Sequence, residues 1–158
     1  MKMKLFTLAA ALLAVTSFSF AAPASSGEPS TMTINLSRKY TSLDLRGDIK
    51  VVLTNDAADK LTITGDKGDV KKIRASVSRG TLSVWSTDGS SSKKDVTIYV
   101  PAGWLDLVII NGDAELETKE ALRNNELTVE VNGECKVNIR SLGKVTMKNS
   151  DEFVFIRN

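Results

Sequence analysis

The chain has 158 residues, 42% of them hydrophobic and 25% charged, which excludes a disordered or collagen-like polypeptide and suits one compact domain. It carries 21 basic and 19 acidic residues, but Lys2 and Lys4 lie in a stretch expected to be removed. The mature charges then balance, so charge is no ground for a nucleic-acid partner.

Residues 1–21 read as a secretory signal peptide: a basic start at Met1-Lys2-Met3-Lys4, an apolar run from Leu5 to Val15, and small residues Ser19 and Ala21 at the cleavage site. The run breaks at Thr16 and Ser17, too early for a membrane anchor of about 20 residues. No second apolar span follows, so no membrane span is expected after cleavage. No Cys stands immediately after the cleavage site either, which argues against a lipoprotein. The expected setting is periplasmic, secreted or cell-surface.

Residues 22–31, rich in Pro, Ser and Ala, read as a flexible leader, and residues 32–158 as the folded domain. From Met32 onward apolar residues mostly alternate, as strands with one buried face require: Met32, Ile34, Leu36; Leu43, Leu45; Ile49, Val51, Leu53; Leu61, Ile63. Ile73 to Val77, Leu82 to Val84 and Val96 to Val100 continue the pattern. Corners fall at Gly-Asp clusters such as Gly47-Asp48. Val77 to Leu82 predicts a tight hairpin with Gly80 at positive φ. Pro101 ends a strand, since proline cannot donate to an inner ladder. Thr118 to Asn125 is the one segment with room for a helical turn or two.

After Leu105 a short apolar strand runs three times into an Asn-led polar corner and resumes. The corners are Asn111-Gly112-Asp113, Asn132-Gly133-Glu134 and Asn149-Ser150-Asp151, spaced 21 and then 17 residues from Asn to Asn. Val108 and Ile110 precede the first, Val129 and Val131 the second. Short strands with frequent turns suit a sandwich, a barrel or a solenoid, and the recurring corners favour the solenoid. Leu105, Leu107 and Ile109 offer the opposite phase in the first copy, which predicts a strand covered on both faces.

The stretches Leu43 to Thr54, Arg79 to Val84 and Val96 to Pro101, followed by the corner series, resemble the bacterial head GIN domain family, the putative auto-transporter adhesin domains. The resemblance covers roughly residues 40 to 156. It implies a right-handed parallel β-helix, here a short single-domain β-solenoid with an N-terminal part containing a hairpin. It also implies a cell-envelope setting, an adhesive or binding role and no established catalytic residues.

With no histidine in the chain, the commonest general base, Ser/His/Asp triads and His-ligated zinc are excluded. Cys135 is the only cysteine, so no internal disulfide forms, and its alternation with Val137 and Ile139 marks it as a small core residue. Asp113, Glu134 and Asp151 are candidate calcium ligands if they stack along one edge; the plainer reading is turn chemistry, because their spacing is unequal. Arg46-Gly47-Asp48 spells an integrin-type tripeptide, yet a Gly-Asp pair is what the corner before Ile49 needs.

Trp85 opposes Leu82 and Val84 on its strand, and Tyr99 opposes Ile98 and Val100 on its own. If the two strands are neighbours, Trp85 and Tyr99 form an outward aromatic platform for a glycan or an envelope protein; the plainer alternative is a second packing layer under a loop such as Ser86 to Lys94. Trp104 is expected to cap the coil. The reading is thus an exported, non-enzymatic binding or adhesive module without a cofactor. Its alternatives are an envelope structural protein that self-assembles as a homo-oligomer, and a polysaccharide-acting β-helix enzyme.

Overall fold

A computed structural model describes residues 28–36, 39–56, 59–87 and 96–149, together with the backbone of residues 154–155. The signal peptide and the start of the leader lie outside the described residues. The strands are β1 (Pro29–Asn35), β2 (Ser42–Arg46), β3 (Lys50–Thr54), β4 (Lys60–Asp66), β5 (Ile73–Ser78), β6 (Thr81–Ser86), and β7 (Thr97–Pro101). They continue with β8 (Leu107–Asn111), β9 (Glu115–Thr118), β10 (Glu126–Asn132), β11 (Lys136–Asn138), β12 (Lys144–Asn149) and β13 (Val154–Phe155). Among the described residues the only helix is α1 (Lys67–Val70).

The strands form a seven-stranded sheet in the order β1-β4-β7-β3-β9-β11-β13 and a six-stranded sheet in the order β12-β10-β8-β2-β6-β5. The all-β expectation holds. Both sheets are mixed and they do not close on each other, so a parallel β-helix is not confirmed for the molecule. The parallel part is nonetheless regular. β2 to β3, β8 to β9 and β10 to β11 each step from the six-stranded sheet to the seven-stranded one through three residues, and the steps stack in parallel register. β6 and β7 lie beside β2 and β3, also in parallel.

Register follows burial, because a slip by one residue would turn every apolar side chain outward. Leu82, Leu43, Val108 and Val129 form one inward row, fully buried, and Met147 continues it. Ile98, Val51, Leu116 and Val137 form the facing row of the other sheet, all fully buried. Each such side chain contributes roughly 1.5–3 kcal/mol over its exposed state. The phase of β8 is thereby settled: Val108 and Ile110 are buried, while Leu107 and Ile109 are half-exposed on the outer face and lack a full second layer.

Three local expectations change. β1 begins at Pro29, inside the stretch read as leader. Thr118 to Asn125 makes no helix; Leu122 bridges to Ser141, with Leu122 N donating to Arg140 O at 2.9 Å and Leu142 N to Leu122 O at 2.9 Å. Stacking of the return segments overrides the weak helical tendency there. Asn149 pairs with Val131, whereas Asn132 pairs with Asn111, so the third asparagine is one residue out of line with the first two. Keeping Val145 beside Leu127 and Met147 beside Val129 decides that register, and the corner asparagine does not.

The predicted hairpin is present, with β5 and β6 joined through Arg79 (φ 49°) and Gly80 (φ 77°). Positive φ at both positions matches the twist of the flanking strands. After Pro101, Asn124 Nδ2 donates to Ala102 O at 2.8 Å and Leu105 O at 2.6 Å, satisfying two carbonyls inside the fold. Trp104 packs edge-on against buried Tyr40, with centroids 5.9 Å apart, and Tyr40 Oη donates to Pro101 O at 2.6 Å.

Candidate functional site

Gly47, Gly112 and Gly133 stack, at φ of 86°, 124° and 134°. A Cβ on Gly112 would stand 3.0 Å from Gly47 N, and one on Gly133 would stand 2.9 Å from Gly112 O. Gly47 N donates to Asn111 O and Gly112 N to Asn132 O, each at 3.0 Å. Arg46-Gly47-Asp48 is therefore another copy of the same corner, which accounts for the tripeptide. The signal was legible as a Gly-acid pair at 47–48, 112–113 and 133–134. Leading with Asn concealed it, since Arg46 holds the position of Asn111 and Asn132.

A groove of about 490 Å³ runs along these corners, lined by Asp48, Asp113 and Glu134 over Ile49, Ala114 and Cys135. Asp113 and Glu134 thus share a column with Asp48, while Asp151 lies outside the described residues. Among the described residues no three acidic, Cys or His side chains converge to hold a metal ion. Beside the column, Lys136 Nζ donates to Glu115 at 2.9 Å and Lys50 lies 3.4 Å from both Glu115 and Glu117. The Lys136 hydrogen bond, aided by Lys50, holds the Glu115 carboxyl below its ordinary range against a smaller opposing effect of burial. Cys135 is half-buried against the core, and burial pushes its thiol up, which keeps it protonated and a poor nucleophile at neutral pH.

Trp85 and Tyr99 are not brought together. β6 belongs to the six-stranded sheet and β7 to the seven-stranded one. The expected common platform is replaced by two separate surfaces. Tyr99 pairs with Thr62 and Val52 and borders a hollow of about 210 Å³ with Thr33, Thr54, Asp56 and Lys60.

Trp85 lines a groove of about 440 Å³ with Arg46, Gly47, Ser76, Ser83 and Ser86. It stands between two arginines, Arg46 on β2 and Arg74 on β5. Arg46 donates to Asp44 Oδ2 through Nε at 2.9 Å and Nη2 at 2.6 Å. Asp44 also accepts from Asn111 Nδ2 at 2.9 Å, and Asn132 Nδ2 donates to Asn111 Oδ1 at 3.1 Å. This polar row fixes the Arg46 wall of the groove from the corners. Asp44 is buried on an outer sheet face, opposite in phase to the core residues Leu43 and Leu45, and alternation alone carries no sign of that burial. Arg74 was within reach of the sequence reading: a two-residue turn at Arg79-Gly80 already pairs it with Trp85.

A family model described as "Putative auto-transporter adhesin, head GIN domain" matches residues 39–152. Among solved structures, a "putative adhesin" from Parabacteroides distasonis is similar, with a TM-score of 0.61, 15% identity, and 81% of this chain and 56% of that one covered. A "putative adhesin" from Parabacteroides merdae gives a TM-score of 0.55 at 20% identity, covering 78% of this chain and 53% of that one. A "putative lipid binding protein" from Parabacteroides distasonis gives 0.50 at 17% identity, covering 81% and 62%. The chain spans little more than half the length of these structures, and at such identities the likeness shows the fold alone. No curated protein matches the sequence.

Proposed function

Because the chain belongs to the head GIN domain family, we propose that it is an exported, non-enzymatic adhesive module of the cell envelope and that the Trp85 groove holds a glycan. The family match, the signal-peptide pattern and the adhesin-like fold relatives support this reading. Among the described residues no helix is long and apolar enough to cross a membrane. The observation that carries the glycan assignment is an indole in an open groove with two outward serines paired across the hairpin, Ser76 and Ser83. A sugar ring stacks its C–H face on such an indole while its hydroxyls bond the serines, at small entropic loss for the protein. The parallel stack of corners is read as a short β-solenoid that holds this face rigid. The test is a titration of the mature protein against a panel of oligosaccharides, followed by isothermal calorimetry. Trp85→Ala is expected to weaken binding at least about tenfold, the size of one lost stacking contact, with the melting temperature unchanged. Full binding by that variant would sink the assignment.

The second reading is assembly of copies through strand edges. It is favoured by β1, a seven-residue strand at the margin of its sheet, which pairs along one side only with β4. Light scattering that shows a stable oligomer, with no oligosaccharide bound, would support it over the first.

A further inference from the structure

We infer that the glycan taken by the Trp85 groove carries a carboxylate, as a uronic acid does, and that Arg74 is the residue that selects it. This rests on the glycan reading of the groove and adds the chemical class of the ligand. Two arginines flank Trp85 in register, and they differ in how their charge is used. Arg46 is neutralised by Asp44, which it holds through two hydrogen bonds to one carboxylate oxygen. Arg74 instead gives Nη1 to two backbone carbonyls, Lys71 O at 2.5 Å and Ile73 O at 3.0 Å. Those bonds orient the guanidinium without cancelling its charge, and no carboxylate among the described residues lies within ion-pair distance of it.

The contrast with the rest of the same sheet face gives the lone charge its meaning. Two outward lysines there have glutamates on the next strand: Lys144 with Glu126 at 3.1 Å and Lys148 with Glu130 at 3.0 Å. Arg74 has Trp85 as its cross-strand neighbour, and Ser76 and Ser83 form the next outward pair of the same hairpin. An indole, paired hydroxyls and one oriented guanidinium with no acid among the described residues complement a sugar ring with hydroxyls and one carboxylate. A guanidinium donates two parallel N–H bonds to a carboxylate, stronger than bonds between neutral groups. A neutral ring would gain the stacking and the serine hydrogen bonds alone.

The experiment titrates the mature protein with tetragalacturonate and, in parallel, with the neutral tetrasaccharide cellotetraose, at low and high salt. The acidic probe is expected to bind about tenfold or more tighter than the neutral one, with the advantage shrinking as salt rises. Arg74→Gln should bring the acidic probe down to the neutral level at unchanged melting temperature, and Arg74→Lys should restore part of the difference. Equal binding of both probes, lost in Trp85→Ala, would overturn the carboxylate inference and leave the glycan reading standing. An acidic preference that survives Arg74→Gln would overturn the role of Arg74. Binding of neither probe or any other oligosaccharide would overturn both readings.

Discussion

The two ends of the six-stranded sheet use the same outward positions for opposite purposes. At the β10–β12 end, Glu126 and Glu130 each face a lysine of the neighbouring strand, so the charges neutralise one another along the sheet. At the β5–β6 end, the corresponding face carries Trp85 between an arginine already bound to Asp44 and an arginine that has no acid among the described residues. Surface ion pairs of the first kind contribute little stability, typically below about 1 kcal/mol, but they oppose wrong registers and blunt a sheet edge. β12 is such an edge, and its two lysines suit that role. The second arrangement does nothing for register. The difference teaches that paired charge keeps the stack in order, whereas charge left unpaired beside an aromatic is available for recognition.

The comparison breaks most severely at Gly143, in the turn that leads into β12. A Cβ there would lie 2.1 Å from Asn124 O and 2.4 Å from Asn125 O, both backbone atoms with little room to move. Gly143→Ala is expected to destabilise the protein by about 3 kcal/mol or more, the size of the larger single-residue effects, measured by urea denaturation. Because the change lies at the paired end, oligosaccharide affinity of the folded fraction should stay as in the unaltered protein.

Tyr40 tests the segment leading into β2, the strand between the two ends, with a smaller effect. Burial, with the charge of Asp59 added, holds its phenol protonated well above the ordinary range. The folded state therefore keeps a proton that the unfolded chain releases near pH 10, so this stability is full below about pH 10 and falls as pH rises above it. Tyr40→Phe should lose about 1 kcal/mol at neutral pH, from the missing bond to Pro101 O, and should flatten the alkaline fall. An unchanged alkaline slope would assign that fall to other groups.

Glu130→Gln removes the acid facing Lys148 and should change stability by less than about 1 kcal/mol, with no change in oligosaccharide binding. Arg74→Gln should do the reverse, sparing stability and changing binding. If Glu130→Gln alters affinity as Arg74→Gln does, the two ends are not functionally distinct.

Much of the fold was legible in the residues. Alternation located most strands, the Arg79-Gly80 turn set the β5–β6 pairing, and Val129 and Val131 shared the inward phase of Val108 and Ile110. The site was legible only by halves. Trp85 stood out as an outward aromatic, Arg74 was reachable through the hairpin but not drawn from it, and Tyr99 joined the platform only on the condition that its strand lay beside that of Trp85. The place of β7 in the other sheet removed it.

The sequence by itself determined which residues face inward, where the chain turns and which chemistry is absent, because period-two burial, turn residues and the lack of histidine act locally or by composition. Only the tertiary structure decided which strands lie side by side. Stacking put Gly47 against Gly112, set Asn149 beside Val131, parted Tyr99 from Trp85 and brought Arg46 to its flank. The physical reason is that a strand's pattern records which of its faces is buried, while the identity of its neighbour depends on long-range packing in which many alternated strands would serve equally well.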